Sequence, residues 1–300
     1  MDLRLSTPTA THRSSPIFIT VSQLALLIRL RNQSGTLLLV LPSFWALVLA
    51  SHGSPQVSHL IIFFLGAFFM RSAGVAMNDL ADRSFDAQVA RTQHRPLACG
   101  ALRPSHAIGT IIVFLTLSAS LLLFLPIQVA LLSPIAFLLA GVYPFTKRFF
   151  HLPQFFLGLA FGWGVVMAWT TSNHQLILEV WILFGATILW AIAYDTIYAL
   201  QDIHADLQVG IKSSAILFGQ HVWLAVSLTL LGMLILLSII GWRMQLNSVF
   251  YVTLTGIAGF LSQQVWRLRS PLSPNMAFSM FRQHIWIGIC ILAGLWIGCL

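Results

Sequence analysis

The 300-residue chain is built from long apolar runs joined by short polar connections, and those runs restrict its fold more than any other feature. Apolar residues make up 58% of it and charged residues 8%, too little charge to clothe a soluble globule of this size. A hydrocarbon core about 30 Å thick takes ~20 helical residues to cross. Nine runs approach that length: residues 36–52, 58–80, 105–125, 127–145, 152–171, 176–198, 214–241, 246–266 and 283–300. Barrel strands would alternate polar and apolar positions, whereas these runs are unbroken. Each is therefore expected as a helix that satisfies its own backbone hydrogen bonds within lipid, making the chain an all-α polytopic membrane protein.

The basic residues orient the bundle. With the N-terminus in the cytoplasm, every Lys and Arg except Arg71, inside a run, and Arg243 falls on the cytoplasmic side, as the positive-inside rule requires. A bacterial-type inner membrane, multi-pass, is the expected location. The net charge of +8 reads as topology and attraction to anionic lipid. It does not indicate nucleic acid, because the basic residues are scattered over connections instead of forming a patch. Residues 1–35 carry Ser, Thr and Arg without a signal peptide's apolar core, so a cytoplasmic tail with an interfacial segment is expected there. Cys99, Cys290 and Cys299 have no metal or redox spacing and receive no role. No obligate protein partner is expected.

Against this background the acids are informative. Of eight Asp and Glu residues, all but Asp2 and Glu179 fall in two clusters: Asp79, Asp82 and Asp86, and Asp195, Asp202 and Asp206. On a helix Asn78, Asp82 and Asp86 repeat every four residues along one face, and Asp195, Tyr198, Asp202 and Asp206 form a second stripe. Both contain DxxxD, and both end on the cytoplasmic side. The repetition suggests an internal duplication, with two pseudo-repeated halves at about 36–150 and 151–300 enclosing a central cavity open to the cytoplasm. An aspartate at mid-membrane costs about 2.5–3.5 kcal/mol, so six near one another call for cations. Hard oxygen ligands without a His or Cys pattern favour Mg²⁺, which completes its shell with water and substrate phosphate. Arg29, Arg71, Arg91, Arg95, Lys147 and Lys212 are candidates for the remaining phosphate charge. Arg71 lies in a run on the face of Asn78; the plainer reading pairs it structurally with Asp79 or Asp82.

The stretch RSAGVAMNDLADRSFDAQVARTQHRPLACG, residues 71–100, closely resembles the first signature of the UbiA-type intramembrane aromatic prenyltransferases, NDxxDxxxD followed by RTxxRPL. YDTIYALQDIHADLQVGIKSSAILFG, residues 194–219, resembles their second, DxxYAxxDxxxD followed by GxKS. YPFTKRFFHLPQFFLGLAFGWGVVMAW, residues 143–169, and GTLLLVLPSFWALVLA, residues 35–50, look like the branch that prenylates 4-hydroxybenzoate. The chain departs from that branch at residues 31–34, at Gln93 where a lysine is usual, and at His204 and Ala205 where further acids are usual.

The resemblance implies transfer of a polyprenyl group from its diphosphate to the 4-hydroxybenzoate ring, ortho to the hydroxyl, as a step of ubiquinone biosynthesis. Mg²⁺ would be held by Asp82 and Asp86, with Asn78 and Asp79 completing that site, and a second ion by Asp202 and Asp206. Arg29, Lys147 and Lys212 would contact phosphate, and Tyr198 would face the allylic cation. Asp195 or Asp202 would take the ring proton, and Arg71 or Arg148 would hold the acceptor's carboxylate. Another aromatic or quinone-precursor acceptor is the alternative within this class. A cation-coupled transporter is the alternative outside it; acids at span ends, and the absence of helices broken by Gly or Pro at matching positions of the two halves, count against that reading. A CDP-alcohol phosphotransferase would need a DGxxAR motif, which the chain lacks.

Overall fold

The computed structural model describes residues 16–172, 175–210 and 212–300. Expectations for residues 1–15, among them Arg4 and Arg13, and for the side chains of His204 and Ala205, lie outside the described residues. The described chain is helical: α1 (Pro16–Leu27), α2 (Ser34–Ala50), α3 (Val57–Ala81), α4 (Arg83–Asp86), α5 (Pro104–Leu121), α6 (Ile127–Thr146), α7 (Pro153–Ser172), α8 (Leu178–Ala199), α9 (Ile203–Val209), α10 (Ser214–Phe218), α11 (Val222–Arg243), α12 (Ser248–Arg267) and α13 (Pro274–Gly298).

Each expected run coincides with one of these helices, but they are not equivalent. Seven are long and apolar enough to cross a membrane: α3, α5, α6, α7, α8, the α10–α11 unit and α13. The 17-residue α2 is shorter, and α12, with its Thr, Ser and Gln residues, is less apolar. Two runs differ in shape from expectation. Residues 214–241 are interrupted at Gly219, whose φ of +49° and ψ of −119° suit glycine and break the helix before α11. The last helix begins at Pro274, not at 283, because Ser273 caps it through Met276 N and Pro274 occupies its first position. That extension carries Phe278, Phe281 and Arg282 past the apolar run.

Close packing depends on small residues. A Cβ on Gly158 of α7 would sit 3.0 Å from the Ile188 backbone of α8, so these axes approach only because that position has no side chain. Trp45 of α2, Trp190 of α8 and Gly288 of α13 lock three helices together. The two indoles lie 4.9 Å apart, and Trp45 Nε1 donates to Gly288 O at 3.0 Å. The core of α2, α7, α8, α11, α12 and α13 is the better buried part, whereas α5 and α6 stand more open. A second small core joins Leu27 at the end of α1 to Ala76, Leu97, Leu102 and Ala107. It fastens the N-terminal helix beside the polar end of α3.

Candidate active site

The continuous helical stripes read from sequence are bent in the structure. Helix α3 ends at Ala81, Asp82 (φ −97°, ψ 3°) forms the junction, and α4 starts at Arg83. Asp202 (φ −114°, ψ 4°) has nearly the same conformation before α9. Aspartate is a poor helix-interior residue, and at these junctions both carboxylates turn toward cations instead of continuing up a helix face. Beyond each break the next helix opens in the same way: Asp86 N donates to Asp82 O and Asp206 N to Asp202 O, both at 2.8 Å. The two DxxxD segments are thus conformational copies.

A cavity of about 820 Å³ brings the clusters together. Arg29, Arg71, Asn78, Asp79, Asp82, Asp86, Lys147, Asp195, Tyr198, Asp202, Asp206 and Lys212 all line it. Arg148 is not among its lining residues. Its guanidinium donates to Ala81 O at 2.7 Å and lies over the Phe85 and Phe145 rings, where a cation suits the carbonyl end of α3. From this polar end the cavity continues between apolar residues of α3 (Phe63, Met70), α5 (Leu115, Ala119) and α6 (Phe137, Ala140).

Protein cations neutralise most of the acids. Asp79, almost fully buried, receives Arg29 at 2.8 Å and Arg95 at 3.0 Å, and Arg95 also reaches Asp86 at 2.7 Å. Lys147 pairs with Asp82 and lies 3.5 Å from Asn78 Oδ1. Arg91, from the connection after the first cluster, holds Asp202 of the second in a two-pronged contact at 2.7 and 2.5 Å. Among the described residues, Asp195 and Asp206 have no ion-pair partner. Burial and the neighbouring Asp202 push the Asp206 carboxyl up to about 6, against the pull of Lys147 and Arg91.

Arg29 has a left-handed backbone, φ +56°, where glycine or asparagine is usual. It closes α1: Arg29 N donates to Leu26 O and Leu30 N to Ala25 O, the paired bonds of a Schellman turn. Arg71 supports the same turn, donating to Ile28 O at 3.1 Å and Asn32 O at 2.9 Å. The structural pairing of Arg71 with Asp79 or Asp82 is not found among the described residues; the arginine ties down the turn that presents Arg29. Lys212 lines the cavity while its ammonium donates to Phe149 O at 3.1 Å.

The donor set can be tested against a hard divalent ion. Asp79 Oδ2 and Asp82 Oδ1 are buried and have no hydrogen-bond partner among the described residues. Among the described residues no group of three or more His, Cys, Asp or Glu residues is placed to hold a metal ion by itself. Unused carboxylate oxygens without a closed cage fit Mg²⁺, which commonly takes one or two carboxylates and fills its shell from water and phosphate.

Several lining residues were not singled out by the sequence. Phe278 and Phe281 reach the cavity because α13 starts early, and Phe281 lies 4.9 Å from the Tyr198 ring. Tyr143 and Gln154 also line it. Tyr143 and Gln154 fall in the stretch 143–169 that resembles the family, which was their signal; Phe278 and Phe281 had none, because aromatics at helical spacing also mark ordinary core residues.

Comparison with known proteins places this geometry. The UbiA prenyltransferase family model matches residues 39–297. A 4-hydroxybenzoate octaprenyltransferase of Tolumonas auensis is 44% identical over 273 residues, covering 91% of this chain and 95% of the relative. One of Marinobacter nauticus is 39% identical over 294 residues, 98% of each chain. Among solved structures, an apo UbiA homologue of Aeropyrum pernix K1 superposes with a TM-score of 0.74 at 25% identity, covering 88% of this chain and 98% of that one. A homologue of Archaeoglobus fulgidus bound to DMAPP and Mg²⁺ has a TM-score of 0.71 at 18% identity, covering 93% and 100%, and supports the fold. Over nearly its whole length, then, the chain belongs to the UbiA prenyltransferase family.

Proposed function

We propose that this protein transfers a polyprenyl group from polyprenyl diphosphate to the ring of 4-hydroxybenzoate, an alkyl transfer of ubiquinone biosynthesis. Octaprenyl diphosphate, the chain specified in the relatives' names, is the reference donor. The observation that carries the reading is the single cavity joining two carboxylate clusters, their cations and an apolar arm. A diphosphate fits the first end and an isoprenoid the second.

Asp82 and Asp86, with Asp79 and Asn78 beside them, would hold one Mg²⁺, and Asp202 and Asp206 another. When bound, the ions neutralise the diphosphate and lower the cost of its departure. Arg29, Lys147 and Lys212 exchange their present partners for phosphate oxygens. The bond between the first prenyl carbon and the diphosphate oxygen breaks, its electron pair leaving with the diphosphate. Tyr198, with Phe281 packed on it, presents aromatic surface to the allylic cation.

The ring carbon ortho to the hydroxyl forms the new carbon–carbon bond, and its proton passes to a carboxylate. Asp195 suits that task better than Asp202, which Arg91 already engages. An ion-paired carboxylate is a weaker base than one free of cations. Arg71 is the cavity-lining one of the two arginines proposed for the acceptor's carboxylate. Two of its N–H groups are committed to carbonyls, and an arginine has five.

The cavity's polar end would face the cytoplasm of a bacterial-type inner membrane, with the N-terminus on the same side and the lipid tail within the bilayer. Residues 1–35 would form a tail with an interfacial segment, and 36–300 the prenyltransferase domain in two related halves. Membranes containing the protein, incubated with ring-labelled 4-hydroxybenzoate, octaprenyl diphosphate and Mg²⁺, should yield a lipid-soluble labelled product. Its absence, together with product from another phenolic acceptor, would replace the acceptor but keep the reaction class.

A further inference from the structure

Among the clustered acids inside the spans, Asp195 has a polar neighbour that no ion pair explains. Gln154, second residue of α7 and almost fully buried, lines the same cavity, and its side chain is the polar group that acts on the Asp195 carboxylate. The Gln154 amide has little freedom to turn. Its Oε1 accepts from Ser214 N at 3.2 Å. That N–H is available because Ser214 is the first residue of α10, one of the donors a helix leaves without an internal partner. With the oxygen committed, the NH₂ end is the one left for Asp195. Ser214 is itself fixed to the helix that bears Asp195, its Oγ lying 2.7 Å from Thr196 Oγ1. Buried glutamine, serine and threonine thus link the start of α7, the start of α10 and the turn of α8 that carries Asp195.

We propose that Gln154 is a positioning residue for proton removal: its amide, oriented by the Ser214 N–H, holds the Asp195 carboxylate toward the ring carbon that loses its proton. A buried carboxylate with no fixed donor would rotate between conformers, and transfer requires an oxygen within hydrogen-bond reach of the departing proton. An amide donor on one carboxylate oxygen leaves the other for the substrate. The inference rests on the assignment of Asp195 as the proton acceptor.

The test measures steady-state constants and the kinetic isotope effect with 4-hydroxybenzoate deuterated at both positions ortho to the hydroxyl. In Gln154→Leu, which keeps the side chain's approximate volume but not its amide, kcat should fall about 10- to 100-fold, the loss expected when general-base geometry is disturbed. KM for the prenyl diphosphate should stay within about twofold, since uniform binding is untouched. The isotope effect should rise above that of the unaltered protein as proton removal becomes limiting. Ser214→Pro removes the orienting N–H while leaving Gln154 in place, and proline is tolerated at the first position of a helix. It should raise the isotope effect in the same direction and serves if Gln154→Leu does not fold. An unchanged isotope effect in a folded variant, or a fall in kcat with a matching rise in both KM values, overturns the positioning role. Asp195→Asn separates the two levels. Near-normal turnover there removes Asp195 as the acceptor, whereas its loss alongside an unchanged isotope effect in Gln154→Leu removes Gln154 alone.

Discussion

Asp82 and Asp202 adopt nearly the same backbone immediately before α4 and α9, yet each is neutralised by a cation from a different element, Lys147 and Arg91 respectively. Both cations must move if metal and diphosphate are to bind. Asp82→Ala or Asp202→Ala should lower turnover by at least ~100-fold, as loss of a group that stabilises transition-state charge does. Near-normal rates in either variant would remove the two-site arrangement. Asp206 supplies a pH test. Its carboxyl is pushed up to about 6, so below that pH it carries a proton that a metal ion bound there would have to displace. The Mg²⁺ concentration for half-maximal activity should therefore rise as pH falls through 6; a requirement flat from pH 7.5 to 5.5 contradicts this role. At Arg29 strain and function separate. With φ at +56°, Arg29→Gly should be more stable than Arg29→Ala by about 1 kcal/mol, because glycine carries no left-handed penalty. Both should lose turnover. Thermal unfolding of the two variants side by side, with activity, checks the pair of outcomes.

At the scale of helices, the site depends on where elements stop. The runs in the sequence give the helices themselves, since about twenty apolar residues in lipid have few other conformations. They do not give the breaks at Asp82, Asp202 and Gly219, nor the early start of α13. Continuing the periodicity through Asp82 is natural when only spacing is visible. The turn toward Lys147 requires knowing that α6 ends beside it. Gly158 shows the same dependence in packing: in sequence it is one small residue among apolar ones, and in the fold it is where α7 meets the backbone of Ile188. Gly158→Ala should destabilise the protein by about 1–3 kcal/mol, because neither backbone can yield cheaply. A thermal midpoint equal to that of the unaltered protein would show that the α7–α8 contact is looser than it looks.

For the whole molecule, the bundle joins acids from two distant segments and cations from several others around one cavity, so orientation in the membrane decides which substrate enters from where. The native cysteines report it. Cys99 is exposed in the connection that carries Arg91, Arg95 and Arg103, whereas Cys299 follows α13 next to Gly53 at the opposite end. A membrane-impermeant maleimide should label Cys99 in inverted vesicles and spare it in right-side-out ones. The reverse pattern would place the site on the outer face.

The sequence by itself determined the class of molecule and its chemistry. Long apolar runs force helices, and acids rare enough to be conspicuous mark the places where cations gather. Spacing was enough to group Asp82 with Asp86 and Asp202 with Asp206, because within each DxxxD the i, i+4 backbone bond persists although the longer stripe is broken. Tertiary structure alone decided the pairings: Arg91 with Asp202, Arg95 shared by Asp79 and Asp86, Arg71 holding the turn under Arg29, Arg148 turned away to the end of α3, and Gln154 beside Asp195. Those contacts join residues far apart in the chain, and they follow from how helices of similar apolar character stack, which packing geometry settles and composition does not.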